Sequence, residues 1–368
     1  MKRTLFSVRY SRRLFLCAVA GASLLLVLIN VSAQNSTDGQ LRVAHLGDCP
    51  LQSGQVLHQC RVGYRTFGRL NTASDNAVLM PTWLYGTSAD LTGFFGNVPS
   101  AKQLVDTSRF FGIAVDALGN GVSSSPSNAP DPQHGPDFPA ITTRDMVQAE
   151  YRLVTEVLHL QHLHAVVGLS MGGEQTFVWA VDHPRFFDVA IPILGTPRLT
   201  SYDLQVKRIM IESIVSDPDF MGGRYTSEPP LKLANLFGNL TVTSPEERNA
   251  DTPLSGLNAF FAQAEAPLSI DANDRLAQLK AITHQDVIGS RSIAEAARAT
   301  TARFLVNVSA RDHLVNPQPA LDWAAALQAP SYISQGTCAH LIMNCDSAAV
   351  SARVRDFLLN GVLAQARY

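Results

Sequence analysis

The sequence predicts an α/β fold in which a mostly parallel central sheet carries helices on both faces. Short apolar runs alternate with helix-like runs over residues 76–194, and the same alternation returns over residues 302–363. Between them, residues 199–298 show helical patterns and no clear buried strand. We therefore expect a helical lid that is inserted into the sheet domain.

The expected domain boundaries follow this pattern. Residues 34–198 are predicted to form the first part of the core, residues 199–300 the lid, and residues 301–368 the second part of the core. The chain has 368 residues, of which 46% are hydrophobic and 16% charged. This composition is typical of a globular protein with one large core.

Residues 1–33 are typical of an export signal. They contain five basic and no acidic residues, an apolar run from Leu14 to Val31, and the small residues Ser32 and Ala33 at a cleavage position. The segment Ser11–Leu16 is typical of a twin-arginine signal. An uncleaved membrane anchor is the alternative, because the apolar run approaches spanning length. Cleavage predicts a periplasmic or extracellular protein without a membrane segment.

The predicted mature chain is acidic. Removal of the leader lowers the number of basic residues from 29 to 24 against 31 acidic residues, which gives a formal net charge of −7. A chain of this charge without a basic cluster is a poor candidate for binding nucleic acid.

Four cysteines remain in the predicted mature chain, at Cys49, Cys60, Cys338 and Cys345. An exported protein can oxidise them, and of the three possible connectivities the local pairs 49–60 and 338–345 are the simplest. The four are scattered without paired CxxC spacing, so we expect no metal site.

A nucleophile elbow is predicted around Ser170, where the sequence reads Gly-x-Ser-x-Gly-Gly. An apolar run over residues 164–169 leads into the motif, and a helix-like run over residues 174–182 leaves it. Gly168 and Gly172 flank the serine because a sharp strand–turn–helix junction leaves no room for a Cβ atom. An ordinary turn is the alternative interpretation of the motif alone.

A catalytic serine needs a histidine base that is oriented by a carboxylate. Asp312 follows the apolar strand predicted over residues 302–309, and His340 follows the strand predicted over residues 331–334. The chain order of serine, acid and histidine is that of the α/β-hydrolase fold. His134, in a long Gly/Ser/Pro-rich loop, is the main alternative base.

The oxyanion hole is expected to use two backbone N–H groups. Met171 directly follows the candidate nucleophile, and Leu84 lies just past the strand predicted over residues 76–82. This chemistry requires no cofactor.

Six segments extend a likeness to one enzyme family over nearly the whole mature chain. They are Tyr64–Asn71, Asn76–Leu79 followed by Leu84–Thr87, Phe138–Val147, Val166–Gln175, Ser216–Tyr225 and Ile270–Asn273. In combination they resemble the homoserine O-acetyltransferase family of α/β-hydrolases. The resemblance implies Ser170, Asp312 and His340 as the catalytic triad. It also implies a lid over a tunnel, and homodimers that form through this lid.

Two positions depart from the family pattern. The family holds the homoserine carboxylate with a lid arginine where this chain has Asn235, and it has an aspartate after the catalytic histidine where this chain has Leu341. Each lost charge-assisted contact is worth roughly 1.5–3 kcal/mol. Lys232 or Arg224 could replace the arginine.

These observations predict an exported serine hydrolase, an esterase that acts on a small acyl ester through an acyl-enzyme. The alternative is an O-acyltransferase that passes the same acyl group to an alcohol. Export favours the hydrolase, because the acetyl-CoA donor implied by the resemblance is cytosolic. A non-catalytic binding module on the same scaffold is the third hypothesis.

Overall fold

A computed structural model describes residues 38–361. The predicted leader, residues 1–33, and the segments 34–37 and 362–368 lie outside the described residues. Among the described helices, none combines the length and the apolar character that a membrane span requires.

The strands of the described chain are labelled in sequence order. They are β1 (Arg42–Pro50), β2 (Val56–Phe67), β3 (Ala77–Pro81), β4 (Phe95–Gly96), β5 (Val105–Asp106), β6 (Phe111–Val115), β7 (Leu163–Leu169), β8 (Phe187–Ile193), β9 (Arg303–Phe304), β10 (Val306–Ser309) and β11 (Ser331–Ser334).

The central sheet has the strand order β1-β2-β6-β3-β7-β8-β10-β11, and β9 pairs with β8. Strands β1, β2 and β6 are antiparallel neighbours, whereas every pairing from β6 through β11 is parallel. The prediction of a mostly parallel sheet is therefore confirmed. Strands β4 and β5 form a small separate parallel sheet that the sequence pattern did not predict.

The middle strands are apolar on both faces because helices cover both sides of the sheet. All residues of β7 except His164 are buried, and all residues of β8 except Asp188. The cluster on one face contains Trp179 and Trp323, and the cluster on the other contains Phe357.

The helices of the described chain are also labelled in sequence order. They are α1 (Thr143–Arg152), α2 (Met171–Asp182), α3 (Ser201–Val215), α4 (Lys232–Val242), α5 (Pro245–Asp251), α6 (Leu257–Ala264), α7 (Ala272–Ile282), α8 (Ile293–Arg298), α9 (Gln318–Leu327), α10 (Ile342–Cys345) and α11 (Ser347–Asn360).

Helices α3 to α8 lie between β8 and β9 in the chain and correspond to the predicted lid. The first of them begins with a capping box, in which Thr200 and Asp203 exchange side-chain and backbone hydrogen bonds. Asp203 also accepts a hydrogen bond from the Asn316 backbone N–H at 2.8 Å, and Lys207 Nζ donates to the Leu314 carbonyl at 3.0 Å. Helix α3 is thus hydrogen-bonded to the segment that follows Asp312.

Candidate active site

Ser170 lies at the sharp turn between β7 and α2. Its backbone has φ 52° and ψ −121°, a left-handed conformation that a residue with a side chain rarely adopts. The Ser170 N–H donates to the Ile193 carbonyl of β8 at 2.8 Å, which ties the turn to the neighbouring strand. Backbone strain of this kind is typical of nucleophile elbows, because it presents the serine above the strand ends.

The flanking glycines are required by close backbone approach. A Cβ atom on Gly168 would overlap the Gly172 carbonyl group, and a Cβ atom on Gly172 would lie 2.5 Å from the Pro81 carbonyl oxygen. Helix α2 can therefore start directly over β7 only when both positions lack a side chain.

The three residues proposed as a triad form one hydrogen-bonded chain. His340 Nε2 lies 2.8 Å from Ser170 Oγ, and His340 Nδ1 lies 2.7 Å from Asp312 Oδ2. Asp312 and His340 are both buried. In this geometry His340 can take the proton of the Ser170 hydroxyl while the Asp312 carboxylate orients the imidazole.

Backbone amides hold the Asp312 carboxylate in place. Its Oδ1 atom accepts hydrogen bonds from the N–H groups of Leu314 at 2.9 Å and Val315 at 3.0 Å, which leaves Oδ2 for the histidine. The turn after β10 therefore orients the Asp312 carboxylate independently of its hydrogen bond to His340.

A second buried charged group lies behind the acid. Lys207 and Glu174 are both buried. Burial lowers the pKa of Lys207 and raises the pKa of Glu174. The charge of each residue opposes the pKa shift of the other. Lys207 also interacts electrostatically with Asp312. The sequence reasoning missed this lysine, because a single lysine in a lid helix looks like a solvated residue.

The loop that carries His340 is constrained on both sides. Ala339, directly before the histidine, has φ 50°, and the structure joins Cys338 to Cys345 with a Cα–Cα distance of 6.0 Å. A second bridge joins Cys49 to Cys60 across the β1–β2 hairpin, with a Cα–Cα distance of 5.8 Å. This is the local connectivity.

A cavity of about 660 Å³ opens onto Ser170 and His340. Most of its lining is apolar and comes from the loop after β3, the lid and the segment after His340, with Leu84, Met210, Val242 and Leu341 as examples. A volume of this order is typical of small-molecule sites.

The two expected oxyanion donors remain predictions. Met171 is the first residue of α2, so its N–H has no acceptor within the helix, and Leu84 lines the cavity beside Ser170. Both backbone positions suit the role.

The remaining candidates from the sequence occupy different places. Asn235 and Leu341 line the cavity, as their family-matched positions imply. Arg224 is outside the lining and pairs with both Asp137 oxygens at 3.0 Å, and Lys232 is exposed and also outside it. His134 Nδ1 lies 3.1 Å from the Ala129 carbonyl oxygen within its own loop.

Several polar residues of the cavity wall were not foreseen, and two of them matter for its chemistry. Arg275 and Tyr85 both line it, from α7 and from the loop after β3. Arg275 follows the Ile270–Asn273 segment by two residues, but the sequence alone gives no sign that its side chain is buried.

The known proteins to which the chain is similar include esterases and acyltransferases. The chain is 37% identical over 189 residues to an ethyl acetate hydrolase from Pseudomonas veronii, which is 51% of this chain and 53% of that protein. The chain thus spans about half the length of this relative. It is 28% identical over 315 residues to a homoserine O-succinyltransferase from Methylibium petroleiphilum, covering 76% of this chain and 81% of that protein.

A solved structure, that of the acetyl esterase MekB, superposes with a TM-score of 0.80 at 27% identity, over 88% of this chain and 97% of that chain. The family model described as the alpha/beta hydrolase fold matches residues 86–343, more than half of the chain. With this match, the sheet order and the enzymes among its relatives, the chain belongs to the α/β-hydrolase fold family and is an enzyme of that family.

Proposed function

We propose that the protein is a serine ester hydrolase that acts on small acyl esters through a covalent acyl-enzyme at Ser170. The observation that carries this proposal is the hydrogen-bonded chain from Asp312 through His340 to Ser170, which ends at the cavity. The esterases among the relatives support the same reaction class.

In the acylation step, Ser170 Oγ attacks the ester carbonyl carbon while His340 Nε2 takes the hydroxyl proton. The backbone N–H groups of Met171 and Leu84 stabilise the oxyanion. The carbon–oxygen bond to the alcohol then breaks, and His340 gives its proton to the leaving oxygen. Asp312 stabilises the imidazolium that exists between the two proton transfers.

In the deacylation step, water enters the position that the alcohol has left. His340 takes a proton from this water, and the resulting hydroxide attacks the acyl carbon. The bond to Ser170 Oγ breaks, the serine recovers its proton from His340, and the free acid leaves. Hydrolysis of p-nitrophenyl acetate by the mature chain, compared with a Ser170→Ala variant, tests the proposal.

The second candidate is an O-acyltransferase, which the homoserine O-succinyltransferase relatives favour. The same acyl-enzyme would pass its acyl group to an alcohol. Leu341 opposes homoserine as this alcohol, because its side chain supplies no negative charge to the substrate amine.

We expect that acetyl-CoA or succinyl-CoA is not consumed faster when homoserine is added, whereas p-nitrophenyl acetate is hydrolysed without any acceptor. The physical reason is the missing carboxylate at position 341, which leaves the homoserine amine without a charged partner there. Release of free CoA over time, with and without homoserine, measures this. Homoserine-dependent CoA release would replace the hydrolase with the transferase.

We also propose export with cleavage after Ala33 and oxidation of all four remaining cysteines. The leader pattern and the distances between Cys49 and Cys60 and between Cys338 and Cys345 support this. Protein recovered from outside the cytoplasm is expected to begin at Gln34 and to bind no thiol reagent before reduction. An intact leader, or thiols that react in the native protein, would contradict the proposal.

A homodimer through the lid remains a prediction. Exposed leucines in the lid, such as Leu233 and Leu240 of α4, are consistent with it. The mass of the mature chain by light scattering decides between a monomer and a dimer.

A further inference from the structure

Arg275 is a buried cation in the wall of the same cavity that Ser170 lines. Its exposed fraction is 4%, although arginine is among the residue types that are almost never fully buried without a partner. Because the guanidinium keeps its proton at any ordinary pH, burial cannot be relieved by neutralising it.

No carboxylate compensates this charge at close range. Within residues 38–361, Arg275 forms no ion pair at 4.0 Å or less, and its Nε atom is buried without a hydrogen-bond partner. Glu228 interacts with it at longer range but is itself exposed. A buried charge without a counterion is unfavourable, and a bound anion would offset this cost.

Tyr85 supplies a second buried polar group to the cavity wall, beside Arg275. The Tyr85 hydroxyl is buried and interacts with the Arg275 side chain, whose guanidinium carbon lies 5.4 Å from the centre of the Tyr85 ring, and no carbonyl or carboxylate among the described residues accepts a hydrogen bond from it. Burial raises the pKa of Tyr85 to about 12, against the opposing effect of Arg275, so the hydroxyl stays protonated and can donate.

Asn235 adds an unpaired acceptor to this wall. Its Nδ2 atom donates to the carbonyl groups of Pro230 at 3.1 Å and Ala266 at 2.9 Å, whereas Oδ1 is buried without a partner. Apart from Arg275 and His340, the ionisable residues of the lining are Asp90 and Lys102, and both are exposed to solvent. Arg275 and Tyr85 are therefore two buried donors that a mostly apolar cavity offers to a ligand.

We propose that Arg275, with the Tyr85 hydroxyl, binds a carboxylate on the substrate, so that the enzyme prefers esters with an anionic end separate from the scissile ester. This inference rests on the proposed esterase function and names its substrate class. The carboxylate can belong to the acyl group, as in a dicarboxylic monoester, or to the alcohol, as in the acetyl ester of a hydroxy acid. Guanidinium–carboxylate pairing is the chemistry that both sources share.

Two matched substrate pairs separate these sources. For the acyl side, p-nitrophenyl hemiglutarate is compared with p-nitrophenyl hexanoate, a neutral ester of similar length. For the alcohol side, 4-acetoxybutanoate is compared with pentyl acetate. The kcat/KM of each is measured for the mature wild-type chain and for Arg275→Met, Arg275→Lys and Lys280→Met. Lys280 is the matched control, because it is an exposed cation on the same helix.

We expect Arg275→Met to lower kcat/KM for the anionic member of one pair by about 10- to 100-fold, the loss expected for a charge-assisted hydrogen bond. The kcat/KM of this variant for the neutral member should change little. Arg275→Lys should recover part of the preference because it keeps the charge, and Lys280→Met should leave every ratio unchanged. The pair that responds identifies the side of the ester that carries the carboxylate.

A structural role for Arg275 predicts a different result. If the arginine only holds α7 against Tyr85, Arg275→Met lowers kcat/KM equally for anionic and neutral esters. That outcome, or unchanged ratios in both pairs, would overturn the inference while Ser170-dependent hydrolysis of p-nitrophenyl acetate still supports the esterase.

Binding tests the inference without turnover. Calorimetry should detect binding of p-nitrophenyl hemiglutarate or 4-acetoxybutanoate to a Ser170→Ala variant. A Ser170→Ala/Arg275→Met variant should bind the same compound about 10- to 100-fold more weakly. Equal affinity of the two variants, or no binding of either compound to Ser170→Ala, would overturn the inference even if the wild-type chain hydrolyses no ester.

Discussion

Replacing Ser170 with alanine is expected to lower kcat for p-nitrophenyl acetate by about 10⁶-fold, to the level of background catalysis by the cavity and the oxyanion donors. Within the described residues, the side chain of His340 hydrogen-bonds to Ser170 and Asp312 alone, so no second hydroxyl is placed to take over the attack. Release of p-nitrophenolate measures the loss.

Ser201→Ala is the matched control, because Ser201 is an exposed serine at the start of α3. It should leave kcat unchanged. Mass spectrometry after reaction with a fluorophosphonate should find the adduct on Ser170 in the wild type and none on the Ser170→Ala variant. A Ser170→Ala variant as active as Ser201→Ala would refute the nucleophile.

Asp312→Asn is expected to lower kcat by about 10⁴-fold with little change in stability. The asparagine carbonyl can keep the hydrogen bonds from the Leu314 and Val315 N–H groups. Its amide NH₂ then faces His340 Nδ1 and donates to it. The imidazole proton must therefore sit on Nε2, which can no longer accept the proton of the serine.

The control for this charge change is Asp322→Asn, which removes an exposed carboxylate on α9. It should retain full activity. The melting temperature of each variant shows whether activity is lost because His340 has the wrong tautomer or because the protein is unfolded. Full activity of a folded Asp312→Asn variant would show that another group orients His340.

The elbow and the order of the site residues could be predicted because both depend on local rules. Gly168 is required by the turn itself, and the elbow shows in the sequence as a glycine two positions before and after Ser170. Asp312 and His340 follow strands whose carboxyl ends meet at one edge of a parallel sheet. The main strands were predictable because their burial on both faces makes them continuous apolar runs.

The remaining features depend on tertiary contacts that leave no local pattern. Strands β4 and β5 have two residues each, too few to show a period. Arg275 and Lys207 occur in lid helices where the sequence predicts solvated cations, and only the packing of α7 and α3 against the core buries them. The predicted leader lies outside the described residues.

The hydrogen bonds between α3 and the segment after Asp312 bear on how a substrate enters. Lys207 and Asp203 hold Leu314 and Asn316, and moving α3 would expose a buried lysine and release the turn that orients the acid. A movement of the lid that keeps Asp312 in place must therefore leave α3 with the core.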